Sequence, residues 1–173
     1  MSNHKVQIEV NGKNIEAEVS GRTHLADFLR NNLNLTGTHI GCEHGVCGCC
    51  TVLMDEEPIR SCIILAVQAD GHKIKTVEGM SEINQETGKR ELSNIQKAFW
   101  EGHGLQCGFC TPGMLLTTEA LLAENPDPTD QEIREALSGN ICRCTGYLQI
   151  VEAVKLAAKM NKNSTLVYLP EEV

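Results

Sequence analysis

The sequence predicts an α+β chain in two parts, a small strand-rich unit followed by a set of helices joined by short connections. Three observations carry this reading. Two alternating runs flank an Asn-Gly pair near the N-terminus, the chain turns polar after about Gly79, and helix-capping signals cluster in the second half.

In the first part, Val6, Ile8 and Val10 alternate with polar residues, and so do Ile15, Ala17 and Val19. A period of two puts each set on one face of a strand. Asn11-Gly12 between them tolerates the positive φ angles of a tight hairpin turn. Thr23 is placed to cap a helix from His24 to about Leu33, with Leu25, Phe28 and Leu29 at helical spacing. A glycine- and cysteine-rich loop runs from Gly37 to Cys50. Thr51 to Met54 reads as a strand, and Asp55-Glu56-Glu57-Pro58 as a turn. An apolar stretch follows from Cys62 to Val67. Asp70-Gly71 then turns the chain into a short strand around Ile74 to Val77.

Residues 80–91 are polar and read as a linker. Ser93 and Gln96 fit a capping box for a helix through Trp100, itself read as core. Thr111-Pro112 places a cap and then a proline at the first position of a helix reaching about Glu124. Asn125-Pro126-Asp127-Pro128 breaks that helix. Thr129 and Glu132 form another capping box, for Ile133 to Leu137, stopped near Gly139. Thr145 is placed to open a last helix, with Ile150, Val151, Val154 and Leu156 as its apolar positions. Helices with such short connections predict an antiparallel bundle. The expected boundaries are 1–80 for the first domain and 81–160 for the second, with 161–173 a tail for packing on a partner subunit.

Composition narrows the function. The chain has 173 residues, 41% hydrophobic but only 3% aromatic, so its cores must be aliphatic. Domains of about 80 residues bury little apolar surface and gain from a bound metal or cofactor. The formal net charge of −8 argues against nucleic-acid binding through phosphate contacts. No run of about 18 apolar residues predicts a membrane span. Met1 to Val10 lacks a charged segment followed by an apolar one, so no secretory signal is expected and the chain reads as cytoplasmic. Nine cysteines then need an explanation other than disulfides, because clustered cysteines in a reducing compartment more often bind metal. An odd number leaves one thiol over.

The cysteines fall into two groups. Cys42, Cys47 and Cys50 follow an x4, x2 pattern, and Cys62 lies beyond eleven intervening residues. This is the plant-type spacing for a [2Fe–2S] cluster. Three thiolates on one loop must wrap a compact group, and Gly41, Gly45 and Gly48 supply the backbone freedom. A structural zinc site, usually two short Cys-x2–4-Cys arms, does not match this spacing. The second group is Cys107-x2-Cys110, then Cys142-x-Cys144 after 31 residues. Alone it leaves zinc as a fair competitor. Cys110 and Cys144 are each expected just before a helix, whose positive end favours thiolate. Cys49 is the thiol left over and reads as small buried filler. His39 and His44 flank the first loop and read as surface or supporting residues. Phe109 reads as a water shield.

The run Cys42-Glu43-His44-Gly45-Val46-Cys47-Gly48-Cys49-Cys50-Thr51-Val52 resembles the first cluster loop of the xanthine dehydrogenase/aldehyde oxidoreductase family of molybdenum hydroxylases. Gln106-Cys107-Gly108-Phe109-Cys110-Thr111-Pro112-Gly113-Met114 resembles its second-cluster motif, as does Ser138-Gly139-Asn140-Ile141-Cys142-Arg143-Cys144-Thr145-Gly146-Tyr147. The resemblance spans about residues 4 to 160, with Cys49 standing where the family often has alanine. It implies a β-grasp ferredoxin-like domain followed by a four-helix bundle. It also implies two [2Fe–2S] clusters, on Cys42, Cys47, Cys50 and Cys62 and on Cys107, Cys110, Cys142 and Cys144. The partners implied are a large molybdopterin-binding subunit and a medium FAD-binding subunit, in a hetero-oligomer such as a dimer of heterotrimers. Gln106 and Cys144 match positions near the pterin.

The function so implied is electron transfer for hydroxylation of a purine, another N-heterocycle or an aldehyde, with no complete active site on this chain. Two other functions compete. A free-standing ferredoxin-type carrier needs only the first domain. A zinc-stabilised interaction module would be colourless.

Overall fold

The computed structural model describes residues 3–83 and 88–165. Strands β1 (Asn3–Val10) and β2 (Lys13–Ser20) form the expected antiparallel hairpin, with Ile8 opposite Ile15 and Val6 opposite Ala17. Asn11 and Gly12 turn it with φ of 50° and 76°, the primed geometry that matches strand twist. Helix α1 (Leu25–Asp27) continues as a wider turn over Phe28–Asn32, where the Leu33 N–H donates to the Phe28 carbonyl at 3.2 Å. Its N-cap is His24 rather than Thr23, and no side chain caps it.

Strand β3 (Thr51–Met54) pairs antiparallel with β4 (Glu57–Arg60) through a tight turn at Asp55 and Glu56, φ 50° and 75°. The sequence reading kept Glu57 and Pro58 in the turn. The structure places both in β4, where Pro58 is tolerated because β4 is an edge strand. The last strand of the sheet, β5 (Lys73–Lys75), runs parallel to β1 and antiparallel to β3. The sheet order is β2-β1-β5-β3-β4. Leu25, Phe28 and Leu29 of the helix are fully buried against Val6, Ile8, Val52 and Ile74. Each such side chain contributes about 1.5–3 kcal/mol of burial. A helix laid across a mixed five-stranded sheet is the β-grasp arrangement.

The segment read as linker is not bare. Glu82–Ile83 (β6) pairs with Arg90–Glu91 (β7), and the Arg90 guanidinium donates to the Glu78 carbonyl at 3.0 Å. Four helices follow: α2 (Asn94–Glu101), α3 (Thr111–Glu124), α4 (Asp130–Leu137) and α5 (Leu148–Thr165). Both capping boxes form. Ser93 Oγ accepts from the Gln96 N–H, and Thr129 Oγ1 from the Glu132 N–H. Ile95, Ala98 and Phe99 face inward from α2 at helical spacing. Trp100 therefore turns outward and is 70% exposed, not core as the sequence suggested.

Helix α2 packs along α5, and α3 packs against α4 on one side and the β3–β4 edge on the other. This explains why α3 is apolar nearly all round. Leu53 of β3 is part of the same core as Phe99, Met114, Leu116, Ile133 and Val154. Helix α5 continues to Thr165, into the segment expected as a tail, and residues 166–173 lie outside the described residues. Among the described residues, no helix is long and apolar enough to cross a membrane.

Candidate metal centres

The first site forms on the loop between α1 and β3. Glu43, Gly45 and Gly48 bend it with φ of 56°, 73° and 74°. The curl turns backbone N–H groups inward, and Cys42 Sγ accepts from His44 and Cys47 at 3.4 Å each. The Cys47 N–H and then the His44 N–H lower the Cys42 thiol to about 6. Cys50 and Cys62 are 1% and 3% exposed. Ser61 ties the two together, its hydroxyl donating to the Cys50 carbonyl at 2.6 Å. Burial, and then the Cys50 thiol, pushes Cys62 up to about 11. The Cys47 N–H donation to Cys42 Sγ ties the first two cysteines of the loop together, and the Cys50 carbonyl contact from Ser61 holds Cys62 beside Cys50.

The second site is built from the turn before α3 and the turn before α5. Cys144 Sγ lies 3.4 Å from Cys107 Sγ, and the Cys110 thiol interacts with Cys142. Cys110 is the N-cap of α3, one residue earlier than Thr111 was expected to cap it. Burial, and then Cys142, pushes Cys110 up to about 12. Cys144 does not precede a helix. Helix α5 starts at Leu148, because Thr145 is used otherwise: its Oγ1 lies 3.2 Å from Cys142 Sγ and accepts from the Tyr147 N–H at 3.1 Å. Burial raises the Cys142 thiol, but the Thr145 hydroxyl and N–H outweigh it and leave it lowered. Tyr147, at φ 70°, accepts from the Cys142 N–H at 2.9 Å and donates to the Asn140 carbonyl at 3.3 Å. The Phe109 N–H, and then Cys144, lowers the Cys107 thiol. Gln106, Cys107 and Cys144 are exposed together at this end of the molecule.

Among the described residues, no group of three or more His, Cys, Asp or Glu side chains is gathered to hold one metal ion. Each group of four cysteines is soft thiolate in chemistry, and Cys107 and Cys144 already stand with Sγ atoms 3.4 Å apart, which suits a two-iron group ligated by four cysteines better than a single ion.

The loops that carry the two sites meet at a seam between the halves. The Ile141 N–H donates to the Cys47 carbonyl at 2.9 Å, one residue before Cys142. Arg60 spans the seam, donating to Thr51 Oγ1 at 2.6 Å and to the Gly139 carbonyl at 2.7 Å. His39 Nδ1 donates to the Phe109 carbonyl at 2.8 Å, and the two rings stack with centroids 4.9 Å apart. Phe109 covers His39 with one face and remains 46% exposed. Cys49 is buried at the seam, and burial and then Cys47 push its thiol up to about 12. Arg60 was not singled out from the sequence, Asn140 and Tyr147 were given no role beyond the motif that contains them, and Thr145 was read only as opening a helix.

Comparison with known proteins follows the same division. Residues 8–79 match the family described as "2Fe-2S iron-sulfur cluster binding domain", and residues 76–155 match "[2Fe-2S] binding domain". The chain is 54% identical over 158 residues to caffeine dehydrogenase subunit gamma of Pseudomonas sp. (strain CBB1), covering 90% of this chain and 91% of that one. It is 44% identical over 156 residues to a probable xanthine dehydrogenase subunit of Bacillus subtilis (strain 168), covering 90% and 86%. Among solved structures, it matches quinoline 2-oxidoreductase from Pseudomonas putida 86 with a TM-score of 0.86 and 48% identity, over 93% of this chain and 97% of that one. With two cysteine sites on two matched domains and relatives this close over nearly their whole length, the chain belongs to the small iron–sulfur subunits of the xanthine dehydrogenase/aldehyde oxidoreductase family of molybdenum hydroxylases.

Proposed function

We propose that this chain relays electrons within a molybdenum hydroxylase complex, from a molybdopterin-bearing partner toward FAD or another acceptor. The observation that carries this is that eight of the nine cysteines fall in two groups of four, one in each matched [2Fe–2S] domain, and that the Ile141 N–H to Cys47 carbonyl bond joins the two groups across one seam. Cys42 with Cys47, and Cys50 with Cys62, would hold the first [2Fe–2S] cluster. Cys107 with Cys144, and Cys110 with Cys142, would hold the second. When bound, each cluster supplies a one-electron redox centre. The protein's part is to bury, orient and charge-balance. The N–H groups of His44 and Cys47 offset charge on Cys42, and Thr145 does so on Cys142.

The division of labour is 1–80 for the first site and 81–160 for the second, with the helices of the latter acting as a four-helix bundle. The exposed end carrying Gln106, Cys107 and Cys144 is the face for the large molybdopterin-binding subunit. A medium FAD-binding subunit completes a heterotrimer that dimerises. The nine free cysteines fit a reducing cytoplasm. A relative named for caffeine and a neighbour named for quinoline favour a purine or other N-heterocycle as substrate over an aldehyde.

Co-expression with candidate large and medium subunits tests the whole reading. The expected product is a red-brown complex with about four irons per copy of this chain. A colourless zinc-loaded chain, or a chain that never associates with a molybdenum subunit, would overturn it.

A further inference from the structure

Two glycines let separate pieces of backbone touch at the seam. A Cβ on Gly48 would lie 2.3 Å from the Gly139 carbonyl oxygen, and one on Gly113 would lie 2.2 Å from the Gly48 carbonyl oxygen. The first cysteine loop, the first turn of α3 and the turn before Cys142 therefore pass at backbone distance. Into this contact points Asn140, 1% exposed. Its Nδ2 donates to the Gly48 carbonyl at 3.1 Å and lies 3.4 Å from Thr51 Oγ1. Its Oδ1 accepts from buried Thr117 at 3.2 Å, which fixes which way the amide faces.

Both ends of this bond are next to sulfur ligands. Gly48 follows Cys47, and Asn140 stands two residues before Cys142. The neighbouring Ile141 N–H to Cys47 carbonyl bond runs alongside. We propose that Asn140 is a positioning residue whose buried amide sets the separation and orientation of the two cysteine sites, and so the rate at which electrons cross between them. The inference rests on the reading that both sites hold clusters. The physical ground is that electron transfer falls off exponentially with separation and is weaker across a gap than along a hydrogen-bonded contact. Without the amide, Gly48 keeps the Thr51 hydroxyl and N–H as donors, at 2.6 and 3.1 Å, so the first loop retains its own shape. What is lost is the side-chain tie nearest the Gly48 contact, while the Ile141 N–H to Cys47 and Arg60 to Gly139 bonds keep the halves joined.

The test uses the iron-loaded full chain within its complex, comparing wild type with Asn140→Ala and Thr117→Val. The readouts are iron content, the potential of each cluster, the magnetic splitting between the two reduced clusters, and the rate of electron exchange between them. Asn140→Ala is expected to keep its iron and both potentials, lose or narrow the splitting, and slow exchange about tenfold or more. Thr117→Val, which only frees the amide to rotate, is expected to show a smaller change of the same kind. If Asn140→Ala does not assemble, Thr117→Val carries the test alone. Unchanged splitting and exchange in a variant with full iron content would overturn the inference, even if its melting temperature fell. A wild-type chain lacking about four irons would instead sink the two-cluster reading beneath it.

Discussion

The first cysteine site takes Cys42, Cys47 and Cys50 from one loop and buries Cys50 and Cys62 beside Ala26 of α1. The second draws Cys107 and Cys110 from one turn and Cys142 and Cys144 from another, with α3 and α4 between them, and leaves Cys107 and Cys144 exposed. The first is a local structure. Its shape is set by the left-handed bends at Glu43, Gly45 and Gly48. The second exists only once the helices have packed, because nothing short in the sequence holds its halves together. Exposure differs with construction. The first site keeps Cys42 and Cys47 half-buried and Cys50 and Cys62 enclosed in its own domain, while the second presents two exposed thiols to whatever docks there.

Removing a buried ligand should break this contrast most. Cys50→Ser is expected to lose the first cluster, leaving about two irons per chain. It should also lower the stability of the sheet domain, read by thermal melting, because a buried polar group replaces a ligand. Iron content that stays whole would contradict the assignment. Cys107→Ser should likewise halve the iron, with a smaller fall in melting than Cys50→Ser, because loss of the cluster costs its domain stability but the side chain itself is exposed and leaves no buried polar group. Equal destabilisation by the two variants would erase the distinction between enclosed and open sites.

A smaller effect separates glycines with the same backbone angle. Gly48 and Gly12 have φ of 74° and 76°, but a Cβ at Gly12 meets nothing within 4 Å. Gly12→Ala should cost about 1 kcal/mol from backbone strain alone. Gly48→Ala should cost about 2–4 kcal/mol, because strain and a backbone clash combine. Chemical denaturation distinguishes the two, and similar values would mean that the seam yields easily.

In the helical half, Thr129→Ala should cost about 1 kcal/mol through the lost cap, with both clusters retained. The smallest effect is in pH. The Thr129 N–H and then its hydroxyl hold the Glu132 carboxyl below its usual range. That contribution is present above the ordinary glutamate pKa and fades as pH falls through the lowered folded value. Glu132→Gln should flatten this part of the acid melting profile.

How much of this the sequence shows depends on how local the cause is. The Asn11-Gly12 hairpin, the two capping boxes and the first cysteine spacing depend on residues within a few positions, and all were readable. Strand β4 was missed because Pro58 argues against a strand unless its edge position is known. Thr145 looked like a helix cap, and its turn toward Cys142 Sγ follows from a site assembled across 31 intervening residues. Trp100 looked like core because nothing local says that Phe99 takes the inner face. The seam of Arg60, Asn140 and Thr51 joins positions far apart in the chain. No spacing rule reaches that far.

The close approach at Gly48 has a further consequence, for how substitutions combine. Gly48 touches the Gly139 backbone on one side and lends its own carbonyl to the Gly113 and Asn140 contacts on the other. Changes at these positions share one volume, so their energetic effects will not sum. Once one has forced the segments apart, a second finds the space already open. The seam can therefore drift only by coordinated replacement, and a single-residue scan would overstate how rigidly each position is fixed.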